Sequence, residues 1–118
     1  MNDRKLLKLA AKAAGYKVTW AAGFPGGGVF MRTVQPEPPA PYSKQLPWDP
    51  LSDDGDALRL AVLLDMRVQR FANMTTASKG SSDWQCDERD DGDPYSATRR
   101  AIVRVAAWIE GAGDAQLC

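Results

Sequence analysis

The sequence contains no histidine, and its only cysteines are Cys86 and Cys118. Without histidine, the chain lacks the side chain that most often serves as a general base, a zinc ligand or a pH switch near neutrality. Two cysteines cannot form a four-thiolate zinc site, and no base is visible that would activate either of them. They leave a disulfide open, although such sparse use of cysteine is typical of a reducing cytosol. We therefore predict a non-enzymatic protein with no metal site and no cofactor.

Neither charge nor hydrophobicity is in excess. Lysine and arginine together number 15, as do aspartate and glutamate, so the formal net charge is zero. Proteins that hold nucleic acid through its phosphates usually carry a basic surplus, so we do not expect a nucleic-acid partner. No run approaches the roughly 18 apolar residues that a membrane span needs, and the charged start has no signal-peptide core. We expect the mature protein to be the whole chain, located in the cytosol and not in a membrane.

What is present is the composition of one globular domain, with 118 residues of which 44% are hydrophobic and 25% charged. Three segments repeat apolar residues at helical spacing, namely residues 3–14, 53–65 and 94–110. Asp3 can cap the first helix, Ser52 or Asp53 the second, and Asp93 the third. The second helix is apolar on nearly every side, so we expect it at the centre of the core.

Alternating and β-branched residues predict strands between these helices. Residues 16–21 and 29–34 are joined by a glycine-rich connection typical of a hairpin, whereas the strands at 67–76 and 82–87 are weaker. Residues 77–81 predict the turn between the weaker strands. Because hairpins join the strands, we expect an α+β fold with three helices and a largely antiparallel sheet of four to five strands.

Proline is concentrated in one segment, residues 35–50, which contains six prolines. This composition excludes a central strand or a helix interior, so the segment is predicted as a loop, with Tyr42 and Trp48 anchoring it to the body. Residues 112–118 are expected to form a frayed tail. The whole chain, residues 1–118, is therefore predicted as a single domain.

Several motifs are similar to ligand sites but lack a required residue. Gly23 and Gly28 have the spacing of a phosphate-binding loop, but Val29 stands where a lysine is needed, so we interpret them as a hairpin turn. The acidic segment 87–92 lacks the bidentate glutamate of a calcium loop, which leaves a solvated loop or a weak cation site. Three aspartates at the start of the second helix are assigned to capping, because their side chains diverge around the helix. They are Asp53, Asp54 and Asp56.

The arginines of the third helix are the main candidates for binding. Arg100 and Arg104 are one helical turn apart, so their guanidinium groups share a face, and Arg99 lies beside them. They could hold a phosphate, a carboxylate or an acidic patch of a partner. Alternatively, they could pair with acidic residues of the chain just upstream, namely Asp87, Glu88, Asp90, Asp91 and Asp93. The pattern around each of the four tryptophans favours packing in the core. Trp48 and Trp84 lie near loops and are the alternatives for exposed binding surfaces.

Three strings together resemble one known family. They are DRKLLKLAAKAAG at 3–15, WDPLSDDGDALRLAV at 48–62 and ATRRAIVRVAA at 97–107. They are similar to the small tailed-bacteriophage and prophage proteins of the phage ABA sandwich domain family. The resemblance implies a three-layer α/β/α sandwich and a place in the bacterial host cytoplasm, and it implies no activity, because the family has no established function. This sequence departs from the family in the polar segment 72–80 and in its long proline-rich loop.

If the family resemblance holds, a set of charged residues and one tryptophan could form a salt-bridged framework between the second and third helices. The set comprises Trp48, Asp53, Asp54, Asp56, Arg59, Arg99, Arg100 and Arg104.

Two functions fit these observations. The first is a non-enzymatic phage accessory protein that binds a host or phage protein, as the balanced charge, the spare aromatic residues and the proline-rich loop suggest. The second is a protein that binds a small anionic, nucleotide-like molecule. In the second, Arg99, Arg100 and Arg104 would hold the anion, with a tryptophan, Trp48 or Trp84, as the stacking surface. The second function requires the arginines to line a cleft, whereas arginines paired within the chain favour the first.

Overall fold

The computed structural model describes residues 2–23, 27–34, 44–79 and 84–111. It has an α+β fold with three helices and six strands within these ranges. In chain order the elements are α1 (Asp3–Ala14), β1 (Val18–Ala21), β2 (Val29–Val34), β3 (Lys44–Trp48), α2 (Asp54–Leu63), β4 (Met66–Arg70), β5 (Met74–Lys79), β6 (Trp84–Arg89) and α3 (Pro94–Glu110).

Each helix begins at a side chain that caps its first turn. The Asn2 side chain, rather than the expected Asp3, accepts a hydrogen bond from the Lys5 N–H at 2.8 Å. Asp53 caps α2 by accepting from the Asp56 N–H at 2.7 Å, and Asp93 caps α3, with a proline in the first turn. These caps satisfy backbone donors that a helix start leaves without a partner, which explains why the local sequence places the starts correctly.

The strands form two antiparallel sheets of three, in the orders β1-β2-β3 and β4-β5-β6. The predicted hairpin between β1 and β2 is confirmed, with Trp20 opposite Phe30. The expected single sheet of four to five strands is not what the described residues form. Strand β3 was also not expected, because it lies inside the proline-rich segment. As an edge strand it tolerates Pro47, since no second described strand needs the backbone N–H that proline lacks.

The second sheet also differs from the prediction in its turn. Residues 71–73 separate β4 from β5, so the single strand expected at 67–76 is two strands joined by a hairpin. The turn predicted at 77–81 starts too early, because β5 continues to Lys79. Residues 35–43, with the proposed anchor Tyr42, and the tail 112–118 lie outside the described residues.

The core is built around α3 rather than α2. Seven residues of α3 are buried, on nearly every side of the helix, and α3 packs against α1, α2 and all three strands of the second sheet. Helix α2 packs mainly against α3 and β4, and it leaves Leu58, Val62 and Leu63 51–69% exposed. The expectation that α2 occupies the centre of the core is therefore wrong, because alanines and one leucine suffice for its buried face.

None of the helices in the described ranges is long and apolar enough to cross a lipid bilayer.

Candidate functional site

Arg99 joins the third helix to the second. Its Nη1 donates to Asp54 Oδ1 at 2.6 Å, and its Nε donates to the carbonyl oxygen of Leu51 at 2.8 Å. The side chain of Arg99 is only 16% exposed, whereas that of Asp54 is 69% exposed. Arg99 thus holds the start of α2 against α3 through one carboxylate and one main-chain oxygen.

Arg100 and Arg104 are paired with acidic residues on two further elements. Both terminal nitrogens of Arg100 donate to the carboxylate of Asp3 on α1, at 3.1 and 3.2 Å, and these hydrogen bonds raise the pKa of Arg100. Arg104 Nη1 donates to Glu88 Oε2 on β6 at 2.5 Å. The three guanidinium groups therefore point to three different elements and are each engaged within the chain.

The tryptophans do not complete a ligand site with these arginines. Trp48 is 2% exposed, and its ring meets that of Tyr16 edge-on in the core, with centroids 5.8 Å apart. Trp48 therefore anchors its segment to the body of the domain, as expected. It does not offer the exposed stacking surface that the ligand-binding alternative needs, because its strand directs it inward beside Phe30 of β2. Trp84 begins β6, and its side chain lies outside the described part of the structure.

The salt-bridged framework between α2 and α3 is present only in part. Of the ion pairs among the proposed residues, Arg99–Asp54 is the one that links the two helices. Arg59 pairs within α2, with Asp56 at 2.8 Å and Asp53 at 3.8 Å. The framework instead extends from α3 to α1 and β6.

A directional chain of hydrogen bonds connects the second sheet to α3. Thr98 Oγ1 donates its only proton to the Pro94 carbonyl oxygen, at 2.8 Å, so in its 2.9 Å contact with Thr75 Oγ1 it must accept. Thr75, which is fully buried, accepts in turn from Arg70 Nη1 at 2.8 Å. Arg70 also makes a bidentate pair with Asp90, and its hydrogen bond lowers the pKa of that carboxyl.

A groove of about 600 Å³ lies between α2, β4 and the first half of α3. Its lining is mainly apolar and includes Ala57, Leu58, Ala61, Val68, Tyr95 and Ile102. Leu58, Val68 and Tyr95 are 65%, 37% and 69% exposed, while Ala57, Ala61 and Ile102 are buried. Small buried side chains thus form a floor between large exposed ones, which gives a concave apolar surface.

The polar residues at this groove are already neutralised. Arg99 and Asp54 both line it and pair with each other, and Arg70 lines it while paired with Asp90. An ionic ligand would have to displace one of these pairs. The groove can accept apolar side chains without leaving a charge unpaired.

The groove was not predicted from the sequence, although the sequence contains a signal for it. The apolar run of α2 exceeds what one buried helix face needs, and Leu58 and Val62 lie one turn apart on the surplus side. The surplus predicts burial on every side, but the structure leaves it exposed. An exposed apolar helix face next to a strand edge was the alternative that fits the structure.

The thiol of Cys86 and the acidic side chains were the other candidates for a reactive or metal-binding site. Cys86 is 1% exposed and disulfide-bonded, so it does not offer a free thiol. Among the residues that the structure describes, no group of three His, Cys, Asp or Glu side chains is placed to hold a metal ion.

Comparison with known proteins gave no match: no family model, no curated protein and no solved structure is significantly similar to this chain.

Proposed function

We propose that this chain is a non-enzymatic protein-binding module and that the groove between α2, β4 and α3 receives the partner. The observation that carries this proposal is the exposure of large apolar side chains around a concave apolar floor. Contiguous exposed apolar surface on a small domain is characteristic of interaction sites. Leu58 and Tyr95 are large, and they line the groove from two different helices, α2 and α3, as anchoring residues of an interface can do.

The alternative, a protein that binds a small anionic molecule through Arg99, Arg100 and Arg104, has less support. Each of these guanidinium groups bonds to a carboxylate of the chain, and Trp48 is not accessible for stacking. The volume of the groove is in the range of small-molecule sites, but its lining favours apolar groups over anions.

The proposed biological setting is a bacteriophage or prophage, in the cytoplasm of the bacterial host, with a phage or host protein as the partner. Support comes from the resemblance to the phage ABA sandwich domain family. The three segments of this sequence that carry the resemblance lie on α1, on the end of β3 with α2, and on α3. The same resemblance is the reason to propose a three-layer α/β/α sandwich for the complete domain. An experimental structure of the full chain in which the sheets do not lie between helical layers would refute that arrangement.

The binding function can be tested by affinity capture with matched variants. Leu58→Glu places a charge on the wall of the groove, whereas Leu63→Glu makes the same change on α2 outside the lining. We expect wild-type protein and the Leu63 variant to retain the same protein from a lysate of cells that carry the gene, and the Leu58 variant to lose it. Equal capture by both variants, or no specific capture by wild type, would argue against the proposal.

A further inference from the structure

We infer that the groove takes an extended peptide segment of the partner, which adds to β4 as a fourth strand of the β4-β5-β6 sheet. This inference rests on the proposed protein-binding function and specifies how the partner binds. Three observations carry it: the edge of β4 that no other described strand pairs with, the position of the groove along that edge, and the distribution of charge on the two faces of the strand.

The first observation concerns the backbone of β4. Among the described strands, β4 pairs with β5 alone. The Phe71 N–H donates to the Met74 carbonyl at 2.8 Å, which marks a hydrogen-bonded pair next to the turn. Because such pairs alternate along an antiparallel ladder, Gln69 also bonds to β5, whereas the N–H and C=O groups of Val68 and Arg70 point away from it. These outward groups form a ready template for another strand.

The second observation is that the groove runs beside this edge. The side chains of Val68 and Arg70 line it, and their partners on β5, Ala77 and Thr75, are buried beneath α3. The opposite wall is formed by α2, with Leu58 at the rim. A strand added to β4 therefore lies between an edge strand and a helix, and every second side chain of that strand enters the groove.

The third observation defines the chemistry of the added strand. Side chains that enter the groove meet alanines and Ile102, so they should be apolar. Those on the other face lie beside Arg67, which is exposed and has no ion pair or hydrogen bond from its side chain to another described residue. An acidic side chain there would pair with Arg67. The occupant is thus an extended segment that alternates apolar with acidic residues.

Charge also distinguishes this occupant from a second copy of the chain. A β4 strand from another molecule would bring a second Arg67 to an edge that already carries one, whereas Arg70 is neutralised by Asp90. The acidic segment removes this repulsion, so we assign the edge to a partner of opposite charge.

The test uses a fluorescein-labelled peptide of alternating valine and glutamate and the full chain. We expect binding that weakens about tenfold or more in Leu58→Glu and Arg67→Glu but not in Leu63→Glu. A valine–lysine peptide should restore binding to the Arg67 variant. N-methylation of one alternate set of peptide amides should abolish binding, while N-methylation of the other set should leave it, because only one set faces β4.

Amide hydrogen exchange gives a direct readout of strand addition. The N–H groups of Val68 and Arg70 should exchange more slowly in the complex, whereas that of Gln69, already bonded to β5, should change little. Binding without this pattern, or equal binding of both N-methylated peptides, would overturn the inference. The absence of binding at about 1 mM peptide would also overturn it. So would protection of the Val68 N–H that depends only on protein concentration, because that would identify a second copy of this chain as the occupant.

Failure of this inference can be separated from failure of the proposed function. If lysate capture depends on Leu58 but the exchange of Val68 and Arg70 is unchanged in the captured complex, the groove binds protein in another mode. If capture does not depend on Leu58, the proposed function fails as well.

Discussion

Replacing Thr98 by valine is expected to destabilise the protein more than replacing the more deeply buried Thr75. The reason is the direction of the hydrogen bonds. Thr75→Val removes an acceptor of Arg70 and a donor to Thr98, but Arg70 keeps its two bonds to Asp90, and Thr98 keeps its bond to Pro94. No buried donor is left unpaired, so we expect a loss of about 0.5–1.5 kcal/mol.

Thr98→Val has the opposite consequence. It removes the acceptor for the hydroxyl proton of Thr75, and Thr75 is 0% exposed, so water cannot replace that acceptor without entering the core. A buried donor without a partner costs about 1–3 kcal/mol. The double variant has no unpaired Thr75 hydroxyl. Its loss of unfolding free energy should therefore be close to that of one single variant rather than to the sum of the two.

Urea unfolding followed by tryptophan fluorescence measures these differences, and each 1 kcal/mol should also shift the melting temperature by roughly 3–6 °C. Valine has nearly the shape of threonine, so packing changes little in either variant. A larger loss of stability for Thr75→Val than for Thr98→Val, or additive losses in the double variant, would refute the assigned direction of these hydrogen bonds.

Three further predictions concern the core and the ion pairs. Trp48→Ala should cost about 3–5 kcal/mol in urea unfolding, since it opens a cavity at a side chain that is 2% exposed, and a loss under 1 kcal/mol would contradict the burial. The hydrogen bond from Arg70 lowers the pKa of Asp90, so this carboxylate stabilises the fold above its ordinary pKa and the contribution disappears as pH falls through the lowered value. The gap in urea midpoint between wild type and Asp90→Asn should therefore shrink on acidification; a constant gap would contradict the pairing. Asp54→Ala should cost about 0–1 kcal/mol in urea unfolding, because this carboxylate is 69% exposed. Arg99→Ala should cost about 1–3 kcal/mol, because it also leaves the Leu51 carbonyl without its hydrogen bond. Equal losses in the two variants would contradict this difference.

The helices could be predicted closely because their signals are local. Helix α1 spans 3–14 and α3 spans 94–110, as expected, and α2 differs from its expected range by one or two residues at each end. In each case a capping side chain and a periodic apolar stripe lie within one short window of sequence. Whether the surplus apolar residues of α2 would be covered depended on elements elsewhere in the chain, and the periodicity could not show it.

The sheets and the arginine partners depended on such distant residues. Strand β3 exists because its backbone pairs with β2, although Pro47 argued locally for a loop. Arg100 finds its acid in Asp3, which is 97 positions away, and Arg99 pairs with Asp54, 45 positions away. Of the acids just upstream of α3, Glu88 does pair with Arg104, and the framework implied by the family resemblance includes the Arg99–Asp54 pair. No pattern in the sequence indicated Asp3 as the partner of Arg100. The candidate site could not be predicted because it combines three elements that no local pattern links.

The central position of α3 has a consequence for how the chain folds during synthesis. All other described elements precede α3, yet α1, α2 and the β4-β5-β6 sheet pack against it. Until α3 leaves the ribosome, these elements have no common surface on which to bury their apolar faces. We therefore expect nascent chains that stop before Pro94 to be cleaved readily by protease, and resistance to arise in one step once α3 is exposed. Gradual gain of resistance along the chain would contradict this order. Folding of this domain during synthesis would thus be a single late event, because the earlier elements gain their common packing surface only when α3 has emerged.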